Sequence, residues 1–348
     1  MSSVVPTIRA GALAPILRWM AHQGRAVEAA LTEAALGEQA VGDPETPVPL
    51  RNAIELLRRL ARAEGPDIAC RIACGIDVRE IGPLGAAMRA RPTPRQALHV
   101  VAALMPRHCT HERFEAANTA SGVRVVESWT TSLDAEALHL AQQYVAALIH
   151  ALCAATRAAA PLLDRVEIPP HPAVGVAHLV RWLGRVEAAA APRLVIEISA
   201  RVADARLAPM SGDQTAAPAW IALRADADLP RPLRWTIAAM LGPDEVSIDA
   251  VAGATGMTRR TLQRRLAAQG HTFSDLLDAT RRDLAMRLLT EGAAPFGEVA
   301  ARLGYANGPA LTRAVLRWTG ETPRTVRRKG AAARQGQNVA APDGGAER

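Results

Sequence analysis

The sequence predicts an α+β domain followed by an all-α domain built on two tandem helix-turn-helix units. Three observations predict it. Hydrophobic periodicity passes from mixed helix and strand patterns to purely helical ones across a Pro-, Gly-, Ser- and Asp-containing stretch at 209–231. The surplus of positive charge is confined to the part beyond that stretch. Within that part a short pattern repeats, VAGATG at 251–256 returning as VAARLG at 299–304. At 348 residues the chain is long enough for two or three domains, each with its own core.

In the first domain, 1–208, residues from about 15 to 36 read as a helix ending before the Pro-rich GDPETPVP. LRNAIELLRRLARA at 50–63 aligns Leu50, Ile54, Leu57 and Ala61 on one helical stripe. A short helix, IACRIACG, follows. Two more flank the Pro92–Pro94 turn, with Thr93 placed to cap the second. HERFEAANTASGVRVVESWTT then alternates as two strands around Ser121–Gly122. A long helix over about 134–159 comes next. Strands in DRVEIPP and RLVIEISA enclose a helix around 174–184.

Residues 209–231 read as an interdomain linker and 232–328 as helical throughout. The tail at 329–348 lacks large apolar residues except Val339 and is expected to be disordered. In the helical part, each copy of the repeat precedes a new helix and closes on Gly-x-Thr, at Gly270–Thr272 and Gly320–Thr322. Helix, Gly-containing turn and polar second helix is the helix-turn-helix pattern. Thr272 and Asp275 are spaced as a capping box for a connecting helix running to about Thr290. At about 1.5 Å per residue such a helix spans roughly 28 Å, near the roughly 34 Å between successive major grooves on one face of a duplex.

The first polar helix begins in GMTRRTLQRRLAAQG. At 100° per residue Arg260, Gln263 and Arg264 share about a 100° arc, while Leu262 and Leu266 point the other way. Residues 1–229 balance 23 basic against 23 acidic residues, whereas 230–330 hold sixteen against nine, which is the whole surplus of seven. A hundred-residue basic block fits a polyanion, and double-stranded DNA better than a membrane, since no Trp/Phe-rich amphipathic helix accompanies it. No signal segment or spanning stretch is read, and four irregularly spaced cysteines do not make a disulfide framework, so a reducing cytoplasm is expected.

The stretches MTRRTLQRRL, FSDLLDATRRDLAMRLL and EVAARLGYANGPALTRAVLRWTGETPRTVR resemble the tandem helix-turn-helix domain of the AraC/XylS family of bacterial transcription regulators. PVPLRNAIELLRRLARAEGPDIACRIACG and IGPLGAAMRARPTPRQALHVV are similar to the arabinose-binding-like effector domain of one branch of that family. The resemblance implies a regulator on the nucleoid, with an unknown small-molecule effector, a possible homodimer and contact with RNA polymerase, more often as activator. It implies base reading by Arg260, Gln263 and Arg264, whose side chains suit guanine and adenine edges. Arg259 and Arg265 fall toward the DNA backbone, and Thr258 at the cap. In the second helix Arg313 takes the base-reading position, with Asn307 as cap and Arg317 toward the backbone. Pro309 and Ala310 stand where the family has polar residues, so the half-site read by the first helix is expected to dominate.

Two other readings have some support in the sequence. Cys70, Cys74 and the RHCTH run with His108, Cys109 and His111 offer metal- or thiol-sensing groups, without the paired spacing of a zinc site. A cysteine-based DNA-repair methyl acceptor shares the DNA-binding module, but its second close cysteine pair is missing, since Cys109 and Cys153 stand alone. No phosphate loop, dinucleotide fingerprint or nucleophile elbow is present, so no enzyme, cofactor or metal is expected. His99, His139, His150 and His178 read as core or surface histidines.

Overall fold

The structure is a computed structural model that describes residues 5–37, 41–208, 223, 229–242 and 246–339, with side chains to 332. The chain divides into two compact units, Met1–Ala239 with Ala254–Gly256, and Met240–Gly253 with Met257–Arg348.

The first unit is α+β. Its larger sheet takes the order β3 (Glu112–Thr119), β4 (Gly122–Trp129), β7 (Arg193–Ser199), β5 (Arg165–Ile168), β6 (Val186–Ala188). All its pairings are antiparallel except β5 with β6. β1 (Thr7–Arg9) and β2 (Pro47–Pro49) form a separate antiparallel pair. Period-two alternation sends Val123, Val125 and Glu127 of β4 to one buried face and leaves Arg124 exposed. Helix Ala135–Ala154 packs on the sheet and buries Leu140, Ala146 and Leu152 completely. Its length and apolar composition would suit a bilayer, but 78% of its most apolar window is buried within the fold, as in a core helix. Helix Leu50–Glu64 buries the expected stripe of Leu50, Ile54, Leu57 and Ala61.

Several boundaries differ from the sequence reading. The helix expected over 15–36 is two, Ala14–His22 and Val27–Glu33, separated where Gly24 takes φ +65°. The long helix stops at Ala154 rather than about 159. The helix expected at 174–184 is a single 3-10 turn, Ala177–Leu179, running into Val180–Leu183. Helix Pro230–Met240 counts with the first unit up to Ala239, whose carbonyl accepts the Gly37 N–H at 2.7 Å, so the division falls later than residue 232. The expected linker lies mostly outside the described residues, at 209–222 and 224–228. The tail was expected without structure from 329, but helix Pro323–Val339 carries through its first part; 340–348 lie outside the described residues.

The second unit is helical among its described residues. Ile248–Ala254 and Arg259–Ala267 form one helix-turn-helix, Phe296–Arg302 and Gly308–Thr319 the other, and Phe273–Glu291 connects them. The repeat is also a repeat of geometry. Gly256 and Gly304 take φ +69° and +70°. The turns are closed by equivalent bonds, Met257 N–H to the Ala252 carbonyl at 2.8 Å and Tyr305 N–H to the Ala300 carbonyl at 2.9 Å. The connecting helix starts with the expected capping box: the Asp275 N–H donates to Thr272 Oγ1, and the Thr272 N–H donates to Asp275 Oδ2, both at 3.2 Å. Thr272→Ala should therefore lower stability by about 1 kcal/mol, read as a lower urea midpoint of the second unit with an unchanged m-value.

Candidate nucleic-acid interface

Helix Arg259–Ala267 is held at its base by Leu262 and Leu266, which are 0% and 1% exposed. Its first turn is capped by Thr258, whose hydroxyl accepts the Thr261 N–H at 3.2 Å. This anchoring leaves Arg260, Gln263 and Arg264 together on the exposed side. Arg259 is also exposed and pairs with Asp249 at 3.1 Å. An ion pair this open is worth well under about 1 kcal/mol, so it does not tie the arginine down. Arg265 is half-buried, with Nη1 3.7 Å from the Met257 sulfur.

In the second repeat, Asn307 caps helix Gly308–Thr319 by accepting the Ala310 N–H at 3.0 Å. Leu311, Ala314 and Val315 are buried, and Pro309 and Arg313 are exposed. Arg317, expected toward the DNA backbone, forms an ion pair with Asp278 of the connecting helix. Trp318 Nε1 donates to the other Asp278 oxygen at 2.8 Å.

Two arginines of the basic block have structural tasks that the sequence does not reveal. Arg281 donates to the carbonyls of Leu303 and Gly304 at 2.9 and 3.2 Å and lies over the Tyr305 ring, clamping the second turn. Arg327 donates to the Ala294 carbonyl at 2.6 Å with its guanidinium 4.1 Å above the Phe296 ring. Their charge still adds to the field of the unit, but both guanidinium groups are held against the protein's own backbone and rings.

In the first unit the sulfur and imidazole groups named from the sequence divide into separate places. Cys109, His111 and Glu112 are buried with their ligand atoms within 4.8 Å of one another, a set that could hold a metal ion. Cys70 and Cys74 do not join them; they lie against each other one helical turn apart, and that contact together with burial holds Cys70 well above the ordinary thiol range. Burial pushes Cys153 up to about 12. Glu127, on the buried face of β4, accepts from Gln142 Nε2 at 2.5 Å and from the Trp129 indole. Burial, and then the nearby charge of Glu112, raise its carboxyl well above the usual carboxylate range. Neither glutamate was singled out from the sequence, although strand alternation places both on inward positions.

The family described as the arabinose-binding domain of AraC transcription regulator, N-terminal, matches residues 24–207, just over half of the chain. The family described as a helix-turn-helix domain matches residues 251–329. The HTH-type transcriptional regulator VirS of Mycobacterium tuberculosis is 41% identical over 91 residues, 26% of this chain and 27% of that protein. The HTH-type transcriptional regulator VqsM of Pseudomonas aeruginosa is 33% identical over 81 residues, 23% of this chain and 25% of that protein. The matched part thus spans about a quarter of the length of these curated relatives. The crystal structure of the transcriptional regulator CdpR from Pseudomonas aeruginosa aligns over 90% of this chain and 96% of its own at 20% identity, with a TM-score of 0.37. With the front-domain family covering most of the first unit and the helix-turn-helix family covering the tandem repeat, the chain belongs to the AraC family of transcription regulators.

Proposed function

We propose that this chain is a sequence-specific DNA-binding transcription regulator whose front unit takes a small effector. The observation that carries the reading is the tandem repeat, in which the first polar helix, seated on Leu262 and Leu266, presents Arg260, Gln263 and Arg264 to the outside. Those three read bases, Arg by clasping guanine and Gln by pairing with adenine. Arg259 exchanges its open pair with Asp249 for a phosphate, Arg265 supports the backbone contact from beside Met257, and the cap positions Thr258 and Asn307 meet phosphates at the helix starts. Arg313 reads alone in the second half-site, because Pro309 and Ala310 carry no hydrogen-bonding side chains. Arg317 reaches the backbone by leaving Asp278. The regulator acts in the cytoplasm, on the nucleoid, as a homodimer that activates through RNA polymerase.

The test is selection of fragments of the source genome by the full chain at a stated salt concentration, followed by sequencing. The expected result is one site with two unequal boxes about a helical turn apart. Salt-sensitive binding without an enriched sequence would overturn the reading. On that site Arg264→Ala should cost roughly 1–3 kcal/mol and relax preference at one base pair. Arg265→Ala should weaken all sequences alike and reduce the salt slope by about one. Fluorescence anisotropy on specific and random duplexes separates the two; identical behaviour of the variants would refute this division of roles.

A second reading, a front unit that responds to a metal ion, rests on the buried Cys109, His111 and Glu112 set. A thiolate, an imidazole and a carboxylate are ligand types that zinc takes. Elemental analysis of the purified chain decides it: stoichiometric zinc that is lost in Cys109→Ser supports the reading, and a metal-free protein with unchanged DNA binding removes it.

A further inference from the structure

We infer that the front unit holds a site for a small monocarboxylate with an apolar body, and that Arg89 receives the carboxylate. This rests on the reading of the front unit as an effector domain and names the class of effector. A cavity of about 390 Å³ opens between the segment Cys74–Val78, the end of helix Ala135–Ala154 and Ala208. Ile76, Val78, Ala151 and Ala155 give it an apolar wall, and Arg89 and Arg157 are its cations. That volume lies within the ordinary range for small-molecule sites.

Arg89 is the feature that asks for a ligand. Its side chain is only 7% exposed, and Nη2 donates to the Ala208 carbonyl at 3.2 Å. Nε and Nη1 are buried and reach no hydrogen-bond acceptor among the described residues. The carboxylate nearest to it, Asp77, stands 3.7 Å from Nε, beyond hydrogen-bond range. Asp77 is already engaged by Arg79: Oδ1 accepts the Arg79 N–H at 3.0 Å, and Oδ2 accepts from Nε and Nη2 at 2.9 and 2.7 Å. A buried guanidinium donor left without an acceptor costs more than a neutral one, so a carboxylate oxygen at Nη1 answers a standing deficit.

The wider charge favours the same occupant. Asp77 also lines the cavity, but its hydrogen bonds go to Arg79, which leaves Arg89 and the exposed Arg157 as the cations without a hydrogen-bonded carboxylate there among the described residues. The carbonyl end of helix Ala135–Ala154 opposes an anion with about half an elementary charge, and two guanidinium groups outweigh it. Ala208 is held by Arg89 and by an N–H bond to the Ala155 carbonyl at 2.9 Å, which fixes this part of the cavity wall.

Hexanoate and its neutral isostere hexanamide test the inference on the full chain, with two readouts. The first is binding followed by calorimetry. The second is the alkylation rate of Cys74, which lines the cavity and is half-buried, whereas Cys70, Cys109 and Cys153 are buried. Hexanoate should bind and slow Cys74 alkylation, and hexanamide should bind about tenfold or more weakly. Arg89→Met should lose the preference for the acid, and Arg89→Lys should keep part of it. If Arg89→Met does not fold, Arg157→Gln and the acid–amide comparison on the unaltered chain carry the test. Equal binding of acid and amide, or protection of Cys74 that persists in Arg89→Met, would overturn the site. If hexanoate fails to bind while one promoter sequence is still selected, the ligand class is wrong and the regulator reading stands. Loss of sequence selection as well would reject the reading beneath it.

Discussion

Gly85→Ala should destabilise the first unit by at least about 3 kcal/mol, the upper end of overpacking costs, and leave little folded front domain at 37 °C. The reason is contact. Gly85 lies inside helix Pro83–Arg89, and a Cβ there would stand 1.8 Å from the Val78 carbonyl oxygen and 2.9 Å from Ile81 Cγ1. Both belong to the 3-10 turn Val78–Ile81, whose backbone cannot retreat easily. Asp77 caps it by accepting the Arg79 N–H, and Gly11 approaches its other side, where an added Cβ would lie 2.6 Å from the Ile81 carbonyl oxygen. Gly297→Ala supplies the opposite sign. Gly297 is exposed in helix Phe296–Arg302 with nothing within 4 Å of a built Cβ, so alanine should stabilise that helix by about 0.5–1 kcal/mol. Urea unfolding of the full chain, followed by proteolysis of each unit, reads both. A folded Gly85→Ala front unit with an unchanged midpoint would mean that the turn and helix part freely.

The elements read correctly from the sequence are those whose information is local. Helix Leu50–Glu64, the Thr93 and Thr272 caps and the β3–β4 hairpin each follow from a few neighbouring residues. The exposed triad Arg260, Gln263 and Arg264 was legible for the same reason, since the helical period alone opposes it to Leu262 and Leu266. What escaped depends on contacts far apart in the chain. β1, β2 and β6 are three residues each, too short to show alternation, and β2 contains two prolines. The cysteines and histidines looked like one pool in the sequence, but the fold separates Cys70 and Cys74 from Cys109 and His111 and brings in Glu112. Nothing near Arg89 distinguishes it from the other arginines; only its burial beside an occupied Asp77 does.

Acidification should destabilise the first unit through His139 by about 2 kcal/mol at pH 5, approaching about 3 near pH 4. His139 is fully buried in helix Ala135–Ala154, and its Nδ1 lies 2.7 Å from the Pro169 carbonyl. A carbonyl only accepts, so Nδ1 carries the proton and Nε2 of the neutral ring is an acceptor. Gln143 Nε2 stands 3.3 Å from that nitrogen and His178 Nε2 3.2 Å from it. Protonating Nε2 would set it against the Gln143 amide donor, inside a desolvated site. Burial accordingly pushes the ring down to about 4 from its ordinary 6.5, with His178 and His171 adding to the effect. His178 is itself held below the usual histidine range, by burial first and then by His171. The unfolded chain therefore binds the proton more readily than the folded one. The contribution is complete above about pH 7 and is lost as the pH falls from 6.5 toward 4. His139→Asn keeps a donor for Pro169 and an acceptor for Gln143 but cannot titrate. It should be less stable than the native chain at pH 7.5, because the smaller side chain leaves space, yet lose less between pH 7.5 and pH 5. Urea midpoints at the two values separate these effects. An equal loss in both proteins would place the acid sensitivity elsewhere in the unit.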